Sequence, residues 1–138
     1  MINEKLYRIL NSAFNCFKDK LPSYGVRQNF PRNCCEEVSS ILLQILELEG
    51  YSSFKMIRGS NLNGEHHFWL ETETEVIDLT AHQFDVIKEP FLLINKVDYP
   101  LLEIFSEDVQ VKFIDNQWRY LKELSPKIIN SFYSDYYK

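Results

Sequence analysis

Cys35 stands at the start of an apolar, helix-spaced segment, His67 follows in a strand-like stretch, and Asp78 lies in the next. Cys, then His, then Asp is an order in which a thiol nucleophile, its general base and the residue that orients the base can be laid along one chain. The supporting stretches are Asn33-Cys34-Cys35-Glu36-Glu37-Val38-Ser39-Ser40-Ile41-Leu42-Leu43, His66-His67-Phe68-Trp69-Leu70-Glu71 and Val76-Ile77-Asp78-Leu79-Thr80. They name a reaction class and no substrate. Two other readings stay open on the residues alone. Cys35 is a buried helix residue, His67 a hydrogen-bonded strand residue and Asp78 a turn or cap ligand; or Cys34, Cys35, His66 and His67 hold zinc. The zinc reading lacks the CxxC or HxxxH spacing that points several ligands at one centre.

The elements that would carry these residues follow from hydrophobic spacing. Ile2, Leu6, Ile9, Leu10, Ala13, Phe14 and Phe17 predict an amphipathic helix over residues 2–19, ending before Pro22. Pro22, Gly25 and Pro31 mark residues 22–32 as a loop. A second helix is expected over 34–49. Its apolar residues Val38, Ile41, Leu42, Ile45, Leu46 and Leu48 nearly surround it, which makes it central, and Gly50 closes it. Strands are expected at 54–58, 66–71 and 75–79, with a turn over 59–64 and a hairpin link between the second and third. A short strand is expected at 91–97. Val109, Phe113, Trp118 and Leu121 have helical spacing. Ser125-Pro126 reads as a helix start, with Ile128, Ile129, Phe132 and Tyr133 on its buried side and a fraying end beyond. The whole is an α+β domain spanning residues 1–138: a central helix bearing the Cys packs on a small antiparallel sheet bearing the His and Asp, with further helices at both termini.

Length and composition agree. A chain of 138 residues with 45 % apolar content suits one domain with one core. The net charge of −5 argues against a nucleic-acid partner, which needs a basic surface. No apolar run has the length of a membrane span, and the N-terminus lacks the pattern of a signal peptide. A cytoplasmic location is the expectation, although non-classical export would leave the same sequence. Three cysteines, two of them adjacent, make no disulfide framework. Cys16, on the apolar side of the first helix, reads as a small buried hydrophobe.

At the second helix Asn33 is a suitable N-cap and Glu36 has capping-box spacing from it, which would make Cys35 the second helical residue. Its sulfur would lie near first-turn N–H groups and the positive end of the helix dipole, both of which favour thiolate. The same N–H groups could hold an oxyanion. Glu36 and Glu37 oppose the thiolate by charge, so a paired His⁺ is required. Alternation puts His67, Trp69 and Glu71 on one face of their strand and His66, Phe68 and Leu70 on the other. Val76, Asp78 and Thr80 share a face of the partner strand. Asp78 between Ile77 and Leu79 is an unusual place for a carboxylate without a partner.

These segments resemble the transglutaminase-like branch of the papain-like cysteine enzymes over residues 33–84. The resemblance rests on Cys35 with Ser39 four residues on and Gly50 closing the helix, on His67-Phe68-Trp69-Leu70-Glu71, and on Asp78 in Ile77-Asp78-Leu79-Thr80, followed by Ala81-His82-Gln83-Phe84. It implies Cys35 as nucleophile in preference to Cys34, His67 as general base and acid in preference to His66, and Asp78 as orienter. It implies thiol chemistry at an amide through a thioester: peptide or isopeptide hydrolysis, deamidation or acyl transfer, with no metal or organic cofactor and a peptide or protein as substrate. Members without catalysis also occur, so a binding or regulatory module is the alternative. The chain departs from the family in its short N-terminal part and in lacking a clear oxyanion side chain. Gln28, seven residues before Cys35, is the candidate amide for that role. Trp69 and Tyr24 are candidate substrate contacts, and Phe30 and Leu62 are expected at the rim of the cleft.

Overall fold

The computed structural model describes residues 3–24, 30–31 and 34–138. Helix α1, Glu4–Lys20, is held at its start by Asn3, whose side chain accepts the Leu6 N–H at 3.1 Å. Glu4 in its first turn and Lys18 and Lys20 in its last complement the helix dipole. It buries Leu6, Ile9, Leu10, Ala13, Phe14, Cys16 and Phe17, the stripe expected from spacing except Ile2, which lies outside the described residues. Helix α2, Cys35–Leu48, closes at Gly50, whose φ of +90° suits glycine. The Gly50 N–H donates to the Glu47 carbonyl at 3.1 Å and the Tyr51 N–H to the Leu46 carbonyl at 2.8 Å, a Schellman closure. Leu48 points to solvent, so the helix is buried on most of its circumference rather than all of it.

Five antiparallel strands form one sheet: β1 Lys55–Ser60, β2 His66–Glu71, β3 Glu75–Asp78, β4 Leu92–Asn95 and β5 Glu107–Lys112, in the order β4-β3-β2-β1-β5. Pairing of Met56 with Leu70 and of Leu70 with Ile77 sends these side chains to the helical face, where they meet α1, α2 and α3 (Arg119–Ser131). Ile57, Trp69 and Val76 face the other way. They are covered by the chain between β3 and β5, chiefly Ala81, Ile87, Tyr99, Leu101 and Phe105. The architecture is therefore α+β, three helices with a five-stranded antiparallel sheet, and each face of the sheet has its own apolar cluster.

Several boundaries differ from expectation. Gly59 and Ser60 extend β1 instead of opening the turn, which runs through Asn61–Glu65 with Gly64 at φ +79°. Val109 and Phe113 belong to no helix. Val109 lies in β5, whose Val111 pairs with Ile57 of β1. A spacing of four fits both a helical turn and a strand alternation, and pairing with β1 decides it. Ser125 and Pro126 lie inside α3, not at its start. The Ser125 hydroxyl donates to the Leu121 carbonyl at 2.8 Å and accepts from Gln44 of α2 at 3.1 Å. Proline removes the backbone donor for Lys122, and both residues face solvent, so the helix continues across the gap. The C-terminal end does not fray. A π-helical turn over Phe132–Tyr136 folds Tyr137 back onto the buried Phe132 ring, centroids 5.2 Å apart and nearly parallel. Tyr133, Tyr136 and Tyr137 bond to Glu49, Asp19 and Arg8. Among the described residues no helix is long and apolar enough to cross a membrane.

Candidate functional site

The first turn of α2 presents Cys35. The cap position is Cys34, which makes no side-chain cap bond, so Cys35 is the first helical residue and not the second; Asn33, the expected cap, lies outside the described residues. The two thiols have opposite surroundings. Cys34 is wholly buried in the helical-face core, and burial, then the charges of Glu37 and Cys35, push its thiol up out of the physiological range. Cys35 is half-buried at the helix start and is among the groups that raise the His67 imidazole. Cys16 packs in the core with its sulfur 3.7 Å from the Ile128 carbonyl, and burial raises its thiol to about 12.

Register explains how His67 and Asp78 meet. Leu70 pairs with Ile77, so the next step outward sets Asp78 beside Trp69, on the face opposite the helices. β3 ends there, and His67 lies just beyond that end on the same face of β2. His67 Nε2 is 2.6 Å from Asp78 Oδ2, with both side chains 1 % exposed. The carboxylate takes three further bonds: the Tyr99 hydroxyl donates to Oδ2 at 2.6 Å, and the Thr80 N–H and hydroxyl donate to Oδ1 at 3.0 and 3.2 Å. Such a carboxylate only accepts, so Nε2 carries a proton, and Nδ1 is the nitrogen left for a second partner. Burial would lower the affinity of His67 for a second proton. The Asp78 charge and hydrogen bond, followed by those of Cys35, outweigh it and hold the imidazole well above its ordinary value. Burial likewise opposes the Asp78 charge. His67, Tyr99 and Thr80 overcome it and keep the carboxyl below its usual range.

Aromatic rings fix the imidazole. Phe84 meets it edge-on at 5.1 Å between centroids, Phe105 lies at 5.2 Å, and Trp69 at 6.0 Å. Gly59 makes room for this cage, since a Cβ there would strike the Phe105 carbonyl and come within 2.7 Å of Trp69 Cη2. Trp69, expected to touch substrate, is fully buried and forms a wall behind His67. Its indole N–H donates to Glu71 Oε1 at 2.9 Å, and Lys96 Nζ holds Glu71 Oε2 at 2.6 Å. The alternate residues His67, Trp69 and Glu71 thus form one braced row. Tyr99, Phe105 and Lys96 gave no signal in sequence, being short-range neither to His67 nor to Asp78. Thr80 had one: an Asp commonly accepts from the backbone N–H two residues on.

The other candidates fall elsewhere. His66 faces outward and is hydrogen-bonded to the Ser60 hydroxyl at 2.7 Å, away from His67, so the proposed zinc quartet does not converge. Tyr24 sits half-exposed beneath the Lys127 ammonium of α3, 5.7 Å from its ring centroid. Phe30 packs on Phe14 and His82, and Leu62 is exposed on the β1–β2 turn. Gln28 lies outside the described residues. A groove of about 500 Å³ is lined among others by Glu36, Arg58, His66, Phe68, Lys112 and Phe113, and not by Cys35, His67 or Asp78. Burial, then the neighbouring Glu37 and Asp115, raise the Glu36 carboxyl, against Lys112 and Arg58. An imidazole anchored at one nitrogen by a carboxylate keeps its other nitrogen for proton transfer to or from a neighbouring group.

Comparison of the chain with protein-family models, with curated proteins and with solved structures gives no match.

Proposed function

We propose that this protein carries out thiol-dependent acyl chemistry at an amide of a peptide or protein, with Cys35 as nucleophile, His67 as general base and acid, and Asp78 as the residue that orients His67. The observation that carries the reading is the buried 2.6 Å contact between His67 Nε2 and Asp78; Cys35, at the start of α2, is among the groups that raise the same imidazole. In the proposed cycle the Cys35 proton already rests on His67, as a thiolate–imidazolium pair, and the Cys35 thiolate attacks the amide carbon. First-turn N–H groups of α2, which have no carbonyl partner within the helix, face the developing oxyanion. The C–N bond breaks, His67 returns the proton to the leaving amine, and a thioester remains. Water attacks the thioester, gives a proton to His67, and releases an acid as the thiolate re-forms. An amine in place of water makes the reaction a transfer, and a side-chain carboxamide as substrate makes it a deamidation. The papain-like, transglutaminase-like fold belongs to the same proposal.

A second reading, a peptide- or protein-binding module without turnover, draws on edge strand β5. It leaves Val109 and Val111 exposed, and Phe113 just beyond it is 87 % exposed. Iodoacetamide labelling of each cysteine across pH, read by mass spectrometry, separates the two. The enzyme reading expects Cys35 to label far faster than Cys16 and Cys34 at neutral pH, and to lose that advantage in His67→Ala. Slow labelling of all three, unchanged by His67→Ala, refutes it. A binding module would keep its affinity for peptide in Cys35→Ala and His67→Ala.

A further inference from the structure

Four donors converge on Asp78, and the one from Tyr99 has no counterpart in the Cys–His–Asp pattern. We infer that Tyr99 is a positioning residue of this site: its hydroxyl pins Asp78 Oδ2, the same oxygen that receives His67, and so keeps the carboxylate ionised and aimed at the imidazole.

The inference rests on the proposed role of His67 and Asp78. Its geometry stands independently of any substrate. Tyr99 is 3 % exposed, and its ring packs against Trp69 at 5.4 Å between centroids, within the cluster that includes Leu101 and Phe105. The ring cannot swing away without opening that cluster, so the hydroxyl is delivered to one place. There it donates at 2.6 Å, as short as the His67 contact to the same oxygen. Thr80 holds Oδ1 through its N–H and hydroxyl. With both oxygens engaged the carboxylate cannot rotate, and the imidazole that follows it is set in turn.

The groups that face this cluster are His67 of β2, Cys35 of α2, His82 of the turn after β3, and Glu71, which Lys96 neutralises. Tyr99 keeps its proton in their company. Burial first, then the Asp78 charge and hydrogen bond, and then Cys35 and Glu71, push its phenol well above the ordinary value of 10.0. It is therefore a donor at every pH at which the protein would work. A donor of this kind favours the charged carboxylate over the acid, so it sets how far pH can fall before Asp78 takes a proton and releases His67.

Tyr99→Phe removes the hydroxyl and keeps the ring. The measurement is the titration of His67 in histidine-¹⁵N-labelled protein, followed beside the pH profile of Cys35 labelling. A hydrogen bond to a buried charge corresponds to about one to two pH units, so the acid limb of both curves should move up by that amount. An unmoved His67 limb in a folded Tyr99→Phe protein overturns the inference. Should that variant fail to fold, 3-fluorotyrosine placed at position 99 retains the hydroxyl and makes it a stronger donor. The limb should then move down, and a limb that stays in place overturns the inference equally. The NMR titration needs no thiol chemistry. Labelling of Cys35 that ignores His67 therefore defeats the enzyme reading while leaving the Tyr99 result to be judged by itself.

Discussion

Replacing Gly59 by Ala tests whether the cage around His67 is as tight as its distances say. The new methyl would strike the Phe105 carbonyl, come within 2.7 Å of Trp69 Cη2 and lie 3.1 Å from Phe105 Cβ. None of these can yield cheaply. The Phe105 N–H is bonded to the Leu101 carbonyl at 2.9 Å, and Trp69 is buried and clamped by Glu71. Relief needs a backbone shift, which places the cost toward the upper part of the overpacking range, about 2–3 kcal/mol. For 138 residues the unfolding entropy is about 0.3 kcal/mol/K, so each kcal/mol moves the midpoint by about 3–4 °C. Gly59→Ala should therefore melt about 6–12 °C lower, measured by circular dichroism. Gly64→Ala is the control. Its φ is +79° but nothing lies within 4 Å of the added methyl, so only left-handed strain of about 1 kcal/mol is expected. Since Phe105 also packs on His67, Gly59→Ala should slow Cys35 labelling, whereas Gly64→Ala should not. A Gly59→Ala protein that melts no lower than Gly64→Ala would refute the reasoning.

The His67–Asp78 pair makes stability depend on pH in two directions. His67 is raised above its ordinary 6.5, so its contribution is complete below that value and is lost as pH rises through its folded value, near 10. Asp78 is lowered from 3.8, so its contribution is complete above that value and is lost as pH falls through the folded one. Urea unfolding should show a plateau between about pH 4 and 6.5 with declines on both sides, and Asp78→Asn should flatten both while costing about 3 kcal/mol on the plateau. Equal pH profiles for wild type and Asp78→Asn would contradict the pairing. Cys34→Ser buries a hydroxyl in an apolar core and should cost about 1–3 kcal/mol, with Cys35 labelling unchanged. Fast neutral-pH labelling at Cys34 rather than at Cys35 in the wild type would make Cys34 the working thiol.

Much of the fold was legible because its signals are local. The stripe of α1, the Gly50 stop, and the alternation in β2 each depend on residues within a few positions of one another. Cys35, His67 and Asp78 stood out for a different reason: each is a residue type with an uncommon setting, a thiol at a helix start, a histidine in a buried strand, a carboxylate between apolar neighbours. What failed had ambiguous or overruled local signals. The Val109–Phe113 spacing fits two periodicities, and the Ser125-Pro126 start signal lost to packing of Ser125 against Gln44.

By itself the sequence determined the α+β class, the helix that bears Cys35, and the strands that bear His67 and Asp78, since hydrophobic periodicity and turn residues act over one or two turns of chain. Only the tertiary structure decided that β3 stops beside His67, that Tyr99 arrives on Asp78 from 21 residues away, and that Cys34 is buried while Cys35 is half-buried. Those outcomes depend on strand register and on which groups lose water together, and both are properties of the packed chain rather than of any segment of it.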